Sequence, residues 1–278
     1  MSDMKYKVLA FDLDGTLLNS EKKITHATKS AIEKAASLGC KIVLASGRPY
    51  QGIVNVAKEL RLDKLGGYVL SLNGGKIISC ADNSIIHDVK MDMSFYKEIY
   101  DLAKENNVNL MTYEGDDVIS EKIDDKYIDI EARINGLGKK QVPNLLKQLT
   151  FEVNKFLMLG DGDYLAEVEK KVYDRLHDRL DVYRSEPFFL EILPKGINKA
   201  GALETLLKAV GATREELIAF GDGYNDLTMI QYAGLGVAMS NGNAIVKENA
   251  DYIAPSNDED GIVEVINKFV LDGNTLMC

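Results

Sequence analysis

Lys7-Val8-Leu9-Ala10-Phe11-Asp12-Leu13-Asp14-Gly15-Thr16 begins as a nearly unbroken apolar run and ends in two aspartates and a Gly-Thr pair. Such a run reads as a strand buried on both faces, the kind found in a parallel sheet under two layers of helices. Two carboxylates at the tip of a buried strand repel each other. Their placement makes sense if a cation sits between them. The carboxyl ends of parallel strands are also where open α/β sheets bind ligands.

The same rhythm continues outward. Residues 27–38 form an amphipathic pattern with Ala31, Ile32, Ala35, Ala36 and Leu38 inward, and Gly39 is placed to end the helix. Lys41-Ile42-Val43-Leu44-Ala45 is a second buried strand, ending in Ser46-Gly47-Arg48-Pro49. A small hydroxyl residue and a glycine at a strand tip suggest close backbone approach to a ligand. Pro49 suits the first position of a helix running to about residue 61, whose N–H groups would face the same edge. Tyr68-Val69-Leu70-Ser71-Leu72 is a third strand, closed by the turn Asn73-Gly74-Gly75. Strand, helix, strand, helix, strand argues for right-handed crossovers and an α/β fold with a doubly wound, Rossmann-like parallel sheet.

The pattern then changes. A hairpin is expected over 76–86, a helix over 93–106, a hairpin over 110–120 and weak helix over 141–149. A strand over 156–160, a helix over 164–179 and a hairpin from 182–184 and 188–193 follow. This is an inserted α+β cap of ~100 residues, large enough to be a domain. The first rhythm resumes with a helix over 200–210, closed by Gly211, and a capping box, Thr213-Arg214-Glu215-Glu216. Leu217-Ile218-Ala219-Phe220-Gly221 is another buried strand, with Asp222-Gly223-Tyr224-Asn225-Asp226 at its tip. A helix over 227–232, a strand over 236–239, a helix over 244–250, a strand over 252–254 and a helix over 261–271 complete the chain. The expected division is a discontinuous core of 1–86 plus 190–278 and a cap of 87–189.

Composition narrows the function. At 278 residues, 46% hydrophobic and 27% charged, the chain is an ordinary globular protein. A net charge of −10 argues against nucleic acid and anionic membrane as partners, and makes any phosphate site depend on local positive charge. Cys40, Cys80 and Cys278 are widely spaced and suit free thiols in a reducing cytoplasm. His26, His87 and His177 make no zinc pattern. No apolar run approaches the ~18 residues of a membrane span, and no signal peptide is expected ahead of the first strand.

Four strand or loop tips thus carry polar groups: Asp12 with Asp14, Ser46 with Gly47, Lys199, and Asp222 with Asn225 and Asp226. In this order they resemble the four motifs of the haloacid dehalogenase (HAD) superfamily. Ser46-Gly47-Arg48-Pro49, Asn73-Gly74, Pro187-Phe188-Phe189-Leu190-Glu191-Ile192 and Gly221-Asp222-Gly223-Tyr224-Asn225-Asp226 look like its Cof-type, subclass IIB sugar-phosphate phosphatases. Ala200 departs from the glycine common after the motif lysine.

The resemblance implies a Mg²⁺-dependent phosphatase of small phosphorylated metabolites. Asp12 would be the nucleophile, forming an aspartyl-phosphate, and Asp14 the general acid and base, which calls for a raised Asp14 pKa. Mg²⁺ would be held by the Asp12 carboxylate, the Asp14 carbonyl and Asp222, with Asp226 supporting. The Leu13 and Gly47 N–H groups, the Ser46 hydroxyl, Lys199 and Asn225 would bind the phosphoryl oxygens. Arg48, Asn73 and Gly74, with Arg184, Ser185 and Glu186 beside the returning chain, are candidate substrate contacts, the cap acting as the specificity element. A sugar phosphomutase of the same superfamily is the alternative, with Arg133, Arg175, Arg179 and Arg184 as candidate holders of a second phosphate. A phospho-receiver is a poorer fit, since it carries no acid two residues after the phosphoacceptor.

Overall fold

The computed structural model describes residues 4–271. Its strands are β1 Val8–Phe11, β2 Lys41–Ala45, β3 Tyr68–Ser71, β4 Lys76–Ser79, β5 Ile85–Asp88, β6 Asn109–Glu114 and β7 Asp117–Ser120. They continue as β8 Gly138–Gln141, β9 Phe156–Leu159, β10 Leu180–Glu186, β11 Phe189–Pro194, β12 Leu217–Gly221, β13 Leu235–Met239 and β14 Tyr252–Ala254. Contacts divide the chain into a unit of residues 1–87 with 198–278 and a unit of residues 88–197.

The first unit holds an eight-stranded sheet in the order β14-β13-β12-β1-β2-β3-β4-β5. From β14 to β3 the strands are parallel, and β4 runs antiparallel to β3. All four residues of β1 are fully buried, so the apolar run is explained by helices on both faces. Leu9 and Phe11 pack with Ile32, Ile53 and Ile262 on one face, while Val8 and Ala10 pack with Leu203, Leu206 and Met229 on the other. The helix His26–Ser37 is capped by Thr25, whose side chain accepts the Thr28 N–H, and Gly39 follows its end at φ +105°. The helix after Pro49 spans only Gln51–Glu59, and a separate turn of helix, Leu62–Leu65, follows it.

The second unit holds a six-stranded sheet in the order β10-β11-β9-β6-β7-β8. Ile99 and Leu102 of the helix Tyr96–Glu105 and Val168 and Val172 of the helix Gly162–Leu176 pack with Leu110, Phe156 and Met158. Ile128 and Ala132 of the helix Lys126–Asn135 pack with Met111, Val118 and Leu157 on the opposite face.

Two expectations are corrected. The units divide after His87 and after Ile197, because β11 pairs with both β10 and β9 and so belongs to the inserted sheet. The weak helix over 141–149 shrinks to Leu145–Gln148. The sequence reading also passed over the helix Lys126–Asn135 and β8. Cys40 and Cys80 are free thiols, and Cys278 lies outside the described residues. Among the described residues no helix is long and apolar enough to cross a membrane.

Candidate active site

β1 and β12 are adjacent and parallel, in register from Val8–Leu217 to Phe11–Phe220. Asp12 and Asp222 therefore emerge side by side at the same sheet edge. One carboxylate oxygen from each of Asp12, Asp222 and Asp226 falls within a cluster no wider than 4.8 Å. Lys199, the first residue of the helix Lys199–Val210, is fully buried beside them. Its ammonium donates to Asp12 Oδ1 at 2.6 Å and to Asp226 Oδ1 at 2.5 Å.

These four side chains have different duties. Asp226 Oδ2 accepts the N–H groups of Asp222 and Gly223, at 3.0 and 2.8 Å. Both of its oxygens are thus engaged, which makes it a brace for the loop and for Lys199. Asp222 Oδ1 accepts the Thr16 hydroxyl at 2.8 Å. Its Oδ2 lies over Gly15, where the backbone has φ +82° and a Cβ would approach to 2.5 Å. Gly15 is therefore required twice, for a left-handed backbone and for the space of the carboxylate.

The electrostatics are those of an under-neutralised cluster. Burial, with Asp226 and Asp222 nearby, holds the Asp12 pKa well above the ordinary carboxylate range despite Lys199. Burial likewise pushes Asp222 up to about 6. Burial alone would lower the Lys199 pKa, but Asp12 and Asp226 more than offset it, so the lysine stays an ammonium. Three carboxylates against one ammonium, presenting oxygens only, with a glycine leaving room beside Asp222, fit a hard dication.

Asp14 departs from expectation. Arg48 donates to it twice, Nε to Oδ2 at 2.9 Å and Nη2 to Oδ1 at 2.7 Å, and Lys22 Nζ donates at 2.9 Å. Burial would raise its pKa, but these cations bring it below the usual value. The expected raised pKa is thus corrected. Arg48, which the sequence offers as a substrate contact, donates to Asp14 in the structure.

The remaining residues are placed as follows. Ser46 is buried, and its oxygen accepts the Arg48 N–H at 3.2 Å. Leu13 is fully buried between Asp12 and Asp14. The Asn73 carboxamide lies against Gly47 and its Oδ1 accepts from Asn225 Nδ2 at 3.1 Å. Gly74, at φ +99°, follows Asn73.

In the inserted unit Arg184 binds Glu169 at 2.8 Å and the carbonyls of Gly162 and Pro187, which makes it a structural tie. Ser185 and Glu186 are exposed at the end of β10. Arg175 and Arg179 both pair with Glu98.

The sequence reading missed Thr16 and Lys22. Thr16 stood in the opening stretch and its hydroxyl at a carboxylate-rich strand tip was a usable signal. Lys22 lies in a polar segment with no pattern. Asn241, whose Nδ2 donates to Gly15 O at 2.8 Å, was also passed over.

The haloacid dehalogenase-like hydrolase family matches residues 9–266. The chain belongs to the haloacid dehalogenase-like hydrolases. It is an enzyme of that superfamily and resembles its Cof-type phosphatases. A 5-amino-6-(5-phospho-D-ribitylamino)uracil phosphatase of Bacillus subtilis, YcsE, is 32% identical over 277 residues, covering 97% of this chain and 98% of the relative. A haloacid dehalogenase-like hydrolase from Bacteroides thetaiotaomicron superposes with TM-score 0.90 at 43% identity, over 95% of this chain and 99% of the other. A HAD subclass IIB sugar phosphatase superposes with TM-score 0.77 at 26% identity, over 95% and 98% of the two chains.

Proposed function

We propose that this HAD hydrolase is a Mg²⁺-dependent phosphatase of small phosphorylated metabolites, sugar and sugar-alcohol phosphates foremost, acting through a phosphoryl group carried on Asp12. The observation that carries this reading is the placement of buried Lys199 between Asp12 and Asp226, with Asp222 alongside.

Asp12 and Asp222, with the Asp14 carbonyl, would hold Mg²⁺, and Asp226 would brace them. Bound there, the dication supplies charge neutralisation for an incoming phosphate dianion. Asp12 attacks phosphorus in line, and the P–O bond to the leaving alcohol breaks. Lys199, the Ser46 hydroxyl, Asn225 and the Leu13 and Gly47 N–H groups bind the phosphoryl oxygens. Asp14 gives a proton to the leaving oxygen and then takes one from the water that hydrolyses the aspartyl-phosphate. For this, Asp14 must exchange its contact with Lys22 for the substrate, while Arg48 keeps the plane of its carboxyl group fixed.

The substrate class draws on relatives named as a ribitylaminouracil phosphatase and a sugar phosphatase. The inserted domain is the proposed selector of the leaving group, since the core residues address only the phosphoryl group. Arg175, Arg179 and Arg184 pair with glutamates inside the insert, which weakens the phosphomutase alternative for those three and leaves Arg133 as its candidate holder of a second phosphate. Free Cys40 and Cys80 support a reducing compartment, the cytoplasm. Phosphate release from a panel of sugar, sugar-alcohol and aryl phosphates, with Mg²⁺ and no bisphosphate activator, tests the reading. Turnover of several small esters is expected. No release from any of them would remove it.

A further inference from the structure

Leu72, Asn73 and Gly74 follow β3 with three consecutive left-handed backbone conformations, at φ 55°, 55° and 99°. Leucine rarely adopts this conformation, and such strain persists only where the surroundings over-determine it. The Leu72 N–H donates to Arg48 O at 2.9 Å, and the Asn73 N–H to Ser46 O at 2.9 Å. Gly74 lies against the start of the Lys199 helix, where a Cβ would come within 2.5 Å of Ala202 Cβ and 2.8 Å of Asn198 O. The turn is therefore pinned to the Ser46 loop on one side and to the base of Lys199 on the other.

The Asn73 side chain sits between two further members of the site. A Cβ on Gly47 would meet Asn73 Oδ1 at 3.2 Å, and Asn73 Oδ1 accepts from Asn225 Nδ2 at 3.1 Å. We propose that Asn73 is a positioning residue: its left-handed turn carries a carboxamide that aims Asn225 and seats the Ser46–Gly47 loop on the phosphoryl group. One N–H of the Asn225 amide goes to Asn73 and the other is directed by that bond to a phosphoryl oxygen. Asn73 acts through its neighbours and does not contact the leaving group, which replaces its expected role as a substrate contact. This inference rests on the phosphatase reading above.

The test uses the full chain with Mg²⁺, an aryl phosphate as substrate and inorganic phosphate as inhibitor. Asn73→Gly accepts the positive φ and keeps the backbone bonds while deleting the carboxamide. It is expected to raise KM and the inhibition constant of phosphate about tenfold, with a smaller change in kcat. Asn225→Ala should give a similar loss, and the double variant should be no worse than Asn225→Ala alone, because contacting residues are not additive. Asn73→Asp also tolerates the left-handed turn and keeps the acceptor, but sets a charge beside the phosphoryl site. It should weaken phosphate inhibition more than Asn73→Gly, and it decides the matter by itself if the glycine variant does not fold. Unchanged phosphate inhibition in the folded variants, or strictly additive losses in the double variant, would overturn the proposal. A wild-type protein without Mg²⁺-dependent turnover would sink the phosphatase reading, whereas an active wild type with indifferent Asn73 variants sinks only this inference.

Discussion

Arg48 grips Asp14 through two hydrogen bonds, Nε to Oδ2 at 2.9 Å and Nη2 to Oδ1 at 2.7 Å. A planar guanidinium matches a carboxylate in this way and fixes its plane as well as its charge. The residue proposed to move protons is thus parked by a residue two positions after Ser46. Arg48→Ala should lower kcat/KM for an aryl phosphate by roughly tenfold or more, by letting Asp14 wander. Arg48→Lys should recover only part of the loss, since a point charge does not reproduce the fork. Wild-type kinetics in the folded alanine variant would remove Arg48 from the site.

Gly15 gives a test that belongs to the metal. Its φ of +82° and the 2.5 Å approach of a would-be Cβ to Asp222 Oδ2 leave no room for a side chain. Gly15→Ala should displace the Asp222 carboxylate and raise the Mg²⁺ concentration needed for half-maximal activity. It should also cost about 1–3 kcal/mol of stability through backbone strain. Titration of activity with Mg²⁺, alongside thermal unfolding, separates the two effects. An unshifted Mg²⁺ requirement would argue that Asp222 does not hold the ion.

Chelation should abolish turnover and added Mg²⁺ should restore it, because the carboxylate cluster otherwise repels the substrate. Ca²⁺ should compete for the site yet support turnover poorly, since its looser coordination places the reacting oxygen less well. Full activity in buffer shown by elemental analysis to be metal-free would contradict the assignment.

Lys199→Ala should reduce both kcat and phosphate affinity, and should also destabilise the fold, because it leaves Asp12 and Asp226 buried without their cation. The loss of stability is expected at about 3–5 kcal/mol, softened to the extent that the carboxylates take up protons. Lys199→Arg should not rescue fully. Kinetics and denaturant unfolding of both variants check the two halves of the prediction, and an alanine variant of unchanged activity would take Lys199 out of catalysis.

The core was legible because its signals are local. Buried strands such as Val8–Phe11 and Leu217–Gly221 are apolar throughout and end in aspartates at the same edge. The helix Lys126–Asn135 and β8 were not legible. Glu131 and Asn135 lie on that helix's buried face and break its apolar stripe, held by bonds from Tyr113 OH at 2.7 Å and from Asn135 Nδ2 at 2.8 Å. β8, Gly138–Gln141, is exposed along its whole length and takes its strand form from pairing with β7, which no periodicity records. The Asp14–Arg48 pair was invisible for another reason. Both residues stood out in the sequence, but a contact between two adjacent strand tips depends on side-chain direction, and spacing does not encode that. Arg184 was read as a substrate contact from its place in the chain, whereas Glu169 and two carbonyls already hold it.

The central claim is that Asp12 carries the phosphoryl group, and rapid quenching followed by mass-spectrometric mapping tests it most directly. Wild-type protein mixed with an excess of aryl phosphate and Mg²⁺, then acid-quenched during turnover, should yield a phosphorylated peptide with the label on Asp12. Asp12→Asn, a nearly isosteric change at a strand tip, should fold normally by circular dichroism, give no labelled peptide and release no phosphate. Sustained phosphate release by the folded Asp12→Asn variant would contradict the account.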